Sequence, residues 1–512
     1  MIVKNYGCAV FGVEATIITV ETNIVTGNIF FMVGLPDNAV KESHQRVSAA
    51  IKNIGYHMPR GREITINLAP ADIRKEGTAY DLPIALGILG ASGQIDPARF
   101  DQMVVMGELS LDGQVRPIKG ALPIALEARR QGFKAVVVPV ANAREAAIVQ
   151  GIDVFGVEHL QQVLDFLEGR EALTPVQVDI AAEFEAHSRS YPVDLSDVKG
   201  QENIKRAFEV AAAGGHNVIL IGPPGAGKTM VAKRLPTILP PLNLDEALET
   251  TKIHSVAGKL PPEDALLSNR PFRSPHHTIS DVALVGGGSY PQPGEISLAH
   301  NGVLFLDELP EFKRTVLEVM RQPLEDRVVT ISRAKFTVEY PASFMLVAAM
   351  NPCPCGFHNH PERECVCAPG VVQKYLNKIS GPLLDRIDIH VEVTPVAFAE
   401  LASERETEKS ADVRERVVQA RRLQEARYKG SRLHCNAQIA TQQLRKYCRV
   451  DAAGQALLQK AMERLGLSAR AYDRILKVAR TIADLAASPE IRTEHLAEAI
   501  QYRSLDREGW AA

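Results

Sequence analysis

Val218-Ile-Leu-Ile-Gly-Pro-Pro-Gly-Ala-Gly-Lys-Thr229 is the stretch on which the fold turns: four consecutive apolar residues, then a glycine-rich loop closing on Gly-Lys-Thr. An apolar run without alternation suits a strand buried on both faces of a parallel sheet. The loop Gly222, Pro223, Pro224, Gly225, Ala226, Gly227 has the G-x-x-x-x-G-K-T spacing. Its glycines let backbone N–H groups turn toward phosphates, and the helix that follows presents its positive end to them. Lys228 is therefore expected to hold the β and γ phosphates of ATP, and Thr229 to ligate Mg²⁺.

The other half of such a pocket is Gly302-Val-Leu-Phe-Leu-Asp307-Glu308, where an apolar strand carries two carboxylates to a sheet edge. Asp307 is expected to orient the metal and its waters, and Glu308 to polarise the water that attacks the γ phosphate. Asn351 closes the next apolar run, Phe344 to Met350, and its amide is placed to position that water. Upstream, Asp197-Val-Lys-Gly200-Gln201 is expected to lie over the adenine base, so Gly200 and Gln201 join the ATP contacts.

The 512 residues exceed what one hydrophobic core supports, so several domains are expected. Residues 1–172 alternate strand and helix signals: Ala9 to Val20, Glu63 to Leu68, Met103 to Leu109 and Ala135 to Val138 read as strands, Leu82 to Leu89 and Ile118 to Gln131 as helices. Residues 173–194 have two prolines, acidic residues and little periodicity, and read as a linker. A second α/β pattern fills 195–395, with strands separated by helices and hence a mainly parallel sheet. From 396 to 512 the pattern is helical. The fold class is thus α/β, a phosphate-binding core with a helical lid and an additional N-terminal α/β domain.

No run reaches the length and apolarity of a membrane helix, so the cytoplasm is the default location. The formal charge of −3 says nothing in favour of nucleic acid, but Val413 to Arg449 carries ten Lys or Arg against Glu415 and Glu425. That stretch is either a solvated helical face or a surface for phosphates.

Three further strings, Arg270-Pro-Phe-Arg-Ser-Pro-His-His277, Pro293-Gly-Glu-Ile-Ser-Leu-Ala-His300 and Gly381-Pro-Leu-Leu-Asp-Arg-Ile-Asp388, narrow the reading. With the nucleotide motifs they resemble the AAA+ superfamily, and within it the magnesium-chelatase-related ATPases of the ComM (YifB) competence type, over essentially the whole chain. The resemblance implies a homo-hexameric ring in which Arg386 acts as the arginine finger on a neighbour's ATP and Arg470 as the second sensor, with Arg474 its rival. It implies two core insertions, about 253–298 in helix 2 and a hairpin at about 327–340 whose tip, Arg333 and Lys335, meets DNA in the pore. The activity implied is ATP-driven branch migration during recombination of incoming single-stranded DNA in natural transformation, alongside recombination proteins.

Gly107 to Gly120 resembles the proteolytic domain of Lon, a ribosomal-protein-S5-like fold. Lon works through a Ser-Lys dyad, whereas the aligned positions here are Thr78 or Ala79 and Leu122, so the domain is expected to be catalytically inert. In the loop 353–367, Cys353, Cys355, Cys365 and Cys367 offer four thiolates, a tetrahedral set for structural Zn²⁺, although the C-x-C spacing is tighter than the common C-x₂-C. Two other readings compete with a DNA motor. A Lon-like protease lacks its amine at Leu122. A chelatase-like motor acting on a protein partner needs neither the N-terminal domain nor a charged hairpin tip.

Overall fold

The computed structural model describes residues 2–187, 191–261, 263–288, 291–333, 336–358, 360, 362–368, 370–396, 407–431 and 433–503. The first nine strands are β1 (Ile2–Phe11), β2 (Glu14–Thr26), β3 (Phe30–Val33), β4 (Arg62–Ala69), β5 (Met103–Val105), β6 (Glu108–Leu109), β7 (Val115–Arg116), β8 (Ala135–Pro139) and β9 (Asp153–Val157). Seven of them form one mixed sheet in the order β3-β4-β2-β1-β5-β8-β9, while β6 and β7 make a separate small hairpin. The apolar stretch 9–20 is not one strand. Gly12 takes a left-handed φ of 65°, and the chain reverses there from β1 into β2, which pair antiparallel from Ile2↔Asn23 to Phe11↔Glu14. The helix Asp81–Ala91 is buried along its whole length because it is apolar on every side and lies against β1 and β2.

The span read as a linker corrects that reading in part. It contains the helix Ile180–His187, and Leu173, Val176, Val178 and Ile180 pack on the N-terminal core. Val176 N–H donates to Val154 O at 2.8 Å, so the apolar residues between the prolines hold this segment to the N-terminal domain.

The remaining strands are β10 (Val218–Ile221), β11 (Phe272–Arg273), β12 (Gly286–Gly287), β13 (Gln292–Pro293), β14 (Val303–Leu306), β15 (Val328–Arg333), β16 (Phe336–Pro341), β17 (Met345–Met350) and β18 (Ile389–Glu392). Five of these form a second sheet, β11-β14-β17-β10-β18, parallel throughout. Its central strands β10, β14 and β17 are buried at every residue, as continuous apolar runs require. The mixed α/β class read from the sequence, with a parallel sheet and a helical C-terminal region, is what the chain adopts. The expected excursion at 253–298 is interrupted, however, because Phe272–Arg273 within it is the edge strand of the sheet, beside Val303–Leu304. Two residues are too short a run for any periodicity to reveal.

The helices Ser410–Tyr428, Thr441–Tyr447, Ala452–Leu465, Ala469–Leu485 and Thr493–Gln501 form the C-terminal region. Part of the basic stretch 413–449 is engaged by other groups of the same chain. Arg416 pairs with Glu209 and Glu408, Arg427 with Asp484, and Arg421 donates to Ala212 O. At the same junction, buried Asp388 accepts from Arg474 at 2.8 Å and faces His216 Nδ1 at 3.1 Å. Burial alone would raise the Asp388 carboxyl, but Arg474 and His216 hold it well below the usual carboxylate range, while burial lowers His216, with Asp388 pulling the other way. Removing one member of such a buried pair strands the other. Asp388→Ala is expected to cost about 3–5 kcal/mol, read as a loss of denaturant midpoint at neutral pH.

Candidate nucleotide site

The strand register decides which side chains meet. Ile221 lies level with Met350 and Glu392, and Leu306 with Ala348, so Gly222, Asn351 and Asp307 leave the sheet at its carboxyl edge. That is the edge at which open α/β sheets bind ligands. Gly222 crosses so close to β18 that a Cβ there would lie 2.3 Å from Val393 O. Gly225 and Gly227 take left-handed φ values of 79° and 85°, which turn the loop before the short helix Lys228–Ala232.

Lys228 Nζ donates to Gly222 O at 2.6 Å, to Pro223 O at 2.8 Å and to Asn351 Oδ1 at 3.1 Å. Burial pushes its amine below the usual lysine range, with Asp307 pulling the other way. Thr229 Oγ1 donates to Asp307 Oδ2 at 2.6 Å, which joins the two halves of the motif. A hydroxyl and a carboxylate so close together are hard oxygen donors of the kind Mg²⁺ takes, so the residues fit that ion. Gln201 stands in the left-handed region at φ 59° and donates to Ala226 O at 3.2 Å and Thr394 O at 2.8 Å, bridging the glycine loop to the chain beyond β18.

Glu308 also has a positive φ, 53°, and its side chain is mostly exposed. Its carboxylate meets a residue that sequence reasoning did not single out, His277, whose Nδ1 lies 3.2 Å away. His277 lies tilted against the His276 ring and sets its own ring edge-on to Phe312. The signal was the last residue of the quoted Arg270–His277 string, but no spacing rule connects it to an acid 31 positions later. Asn351, expected between the phosphate loop and Glu308, has its amide oxygen on Lys228 of that loop.

Arg386 and Arg470 lie elsewhere. Val218 is level with Ile389, and Asn217 Nδ2 donates to Arg386 O at 2.9 Å, which puts Arg386 at the amino edge of the sheet. The four residues of β18 separate the edges by about 13 Å at ~3.3 Å per residue. Arg386 is nearly buried, donates to Pro382 O and pairs with Glu325, while its Nε has no partner among the described residues. Arg470 reaches the same edge, where it pairs with Asp385 at 2.9 Å and is 67% exposed. An exposed pair of this kind is held weakly, whereas the rival Arg474 is engaged by buried Asp388.

The hairpin β15–β16 runs in antiparallel register from Val328↔Pro341 to Arg333↔Phe336. Arg333 ends β15, and Lys335 lies outside the described residues. Directly after Asn351 the four cysteines of the loop gather, with sulfur atoms all within 4.8 Å of one another, and could hold a metal ion. In the N-terminal domain Leu122 is fully buried, and the Thr78 hydroxyl donates to the Glu108 carboxylate. Thr78, Ala79 and Lys119 line a cleft of about 390 Å³.

A parallel five-stranded sheet with a glycine loop, paired acids at its carboxyl edge and a helical C-terminal region is the architecture of an AAA+ P-loop ATPase. The family described as magnesium chelatase, subunit ChlI, matches residues 194–401, the one described as subunit ChlI of Mg-chelatase matches 20–142, and its C-terminal family matches 407–503. The chain belongs to the magnesium-chelatase-related ATPases of the ComM/YifB group. It is 44% identical to competence protein ComM of Haemophilus influenzae over 506 residues, covering 98% of this chain and 97% of that one. It is 46% identical to YifB of Salmonella typhimurium over 504 residues, covering 98% and 96%. Lon protease 2 of Bacillus subtilis is 33% identical over 162 residues, 29% of this chain and 28% of that protein. No described helix is long and apolar enough to cross a membrane.

Proposed function

We propose that this chain is an ATP-driven ring motor, a homo-hexamer in the cytoplasm, that moves DNA junctions during recombination of incoming single-stranded DNA. The observation that carries the reading is the division of the site between two edges of one sheet. Lys228, Thr229, Asp307 and Asn351 converge at one edge, and Arg386 and Arg470 stand about 13 Å away at the other. Arg386 and Arg470 therefore stand away from the phosphate pocket of their own copy, and a second copy that sets its amino edge against that pocket brings both to it. In this arrangement Lys228 grips the β and γ phosphates, Gly222 to Gly227 direct backbone N–H groups at them, and Gly200 and Gln201 border the base. Thr229 and Asp307 would hold Mg²⁺, which neutralises phosphate charge when bound. Glu308 orients the attacking water once it leaves His277.

The DNA assignment draws on the ComM relative, named a competence protein, and on two cations in the sequence of the hairpin β15–β16, Arg333 and Lys335. Cations at a pore-facing tip grip the phosphate backbone without reading sequence. Recombination proteins are the partners that such work implies. The four thiols of the loop 353–367 suit Zn²⁺ in a structural role, since four protein ligands leave no open position. The N-terminal domain, without an amine at Leu122, serves as a scaffold.

The deciding experiment is ATP-dependent migration of a synthetic three- or four-way junction by the purified full chain. Junction DNA is expected to raise ATP turnover, and migration is expected to require hydrolysis. Turnover indifferent to every DNA structure at low salt would favour the second reading, a chelatase-like motor that remodels a protein partner.

A further inference from the structure

The cysteine loop lies against the phosphate pocket at two points, and its sulfur geometry says how it is closed. Cys353 Sγ is 3.3 Å from Cys355 Sγ and 3.7 Å from Cys365 Sγ, and Cys355 Sγ is 3.5 Å from Cys365 Sγ. A tetrahedron of thiolates around Zn²⁺, at about 2.3 Å per bond, spaces its sulfurs by roughly 3.8 Å. A disulfide needs about 2.05 Å, and all seven cysteines are free. The His358 N–H donates to Cys353 Sγ at 3.3 Å, the sort of outer contact that steadies a coordinating thiolate.

The two points of contact are specific. Cys353, fully buried, follows Asn351 by two residues, and Asn351 Oδ1 accepts from Lys228. Gly356, in the tight turn just after the first cysteine pair, sits so close to the glycine loop that a Cβ would lie 2.5 Å from Pro224 Cδ. It also has a φ of 85°, which a side chain strains. The described residues between Cys353 and Cys367 form no helix or strand; Phe357 packs against His360 and under Arg363, His360 Nδ1 accepts from the Glu362 and Arg363 N–H groups, and Cys355, Cys365 and Cys367 rest against the neighbouring core. The sulfur cluster joins the second cysteine pair to the first. We propose that Cys353, Cys355, Cys365 and Cys367 bind one Zn²⁺ as a clip whose role is to hold Pro224 and Asn351 in place, so that metal occupancy sets the affinity for ATP. The proposal rests on the ATP and zinc readings given above and adds the dependence of one on the other.

The test uses the full chain purified without chelator, zinc counted by atomic emission, and a fluorescent ATP analogue titrated with Mg²⁺. Wild type is expected to carry about one zinc per chain. Cys365→Ser combined with Cys367→Ser is expected to lose the metal and to weaken analogue binding about tenfold or more. Gly356→Ala is expected to keep the zinc and still weaken binding, because its new methyl group displaces Pro224. Cys367→His, which preserves a ligand atom, is expected to retain both zinc and affinity, and this separates metal loss from general misfolding. A zinc-free wild type, or a metal-free serine variant that binds the analogue as wild type does, overturns the proposal. A zinc-loaded wild type with no affinity for ATP overturns the nucleotide reading itself, by a result distinct from those two.

Discussion

Replacing Arg386 by alanine is expected to lower the turnover of ATP by about 10³-fold or more while leaving nucleotide affinity within a few-fold, because an arginine finger acts on charge that develops in the transition state. The residue stands at the sheet edge opposite Lys228, so the loss should be repairable by another copy. Rings mixed from Arg386→Ala and Lys228→Ala subunits pair an intact phosphate loop with an intact finger at some interfaces, and partial turnover should return although neither parent is active. Mixed rings as dead as both parents would place Arg386 outside the reaction. In the chain as it stands Arg386 is held by Glu325 and Pro382 O, so Glu325→Gln provides a milder companion. It loosens the hold without removing the guanidinium, and turnover should be kept.

The second large effect concerns Glu308. Glu308→Gln keeps the shape and removes the ability to polarise water, and turnover is expected to fall by about 10²–10⁴-fold with ATP still bound. Lys228→Ala should instead abolish binding, so analogue titration separates the two variants at once. The carboxylate faces His277 at 3.2 Å. If that contact holds Glu308 away from its water, His277→Ala should raise turnover in the absence of DNA and shrink the stimulation by junction DNA, leaving analogue affinity unchanged. Unaltered basal turnover and stimulation in His277→Ala would make the contact a bystander.

Local rules account for the parts of this chain that its residues spell out in order. Val218 to Thr229 specifies strand, loop and helix in order, because an unbroken apolar run, a glycine spacing and a helix start are each properties of neighbouring residues. The same holds for Val303 to Glu308, for the all-helical pattern after residue 396, and for four thiols confined to fifteen positions of one loop. Where local signals were ambiguous the reading slipped: Ala9 to Val20 is a hairpin because Gly12 reverses the chain, and 173–194 is partly clamped to the N-terminal core by a few apolar side chains.

Which of these pieces share a pocket is a matter of long-range packing. The meeting of Lys228 with Asn351, 123 positions apart, follows from the pairing of β10 with β17, and that of Glu308 with His277 from a two-residue strand at the sheet edge. The pairing of Arg416 and Arg427 with acids of the same chain, on a stretch whose charge alone suggested solvent or phosphate, follows from the burial of Glu209 and Asp484 on other helices. The physical reason is common to all three. Hydrogen bonds along a helix or within a turn are set by residues a few positions away, whereas strand order and side-chain partners across a core depend on the packing of the whole sheet, which no window of sequence contains.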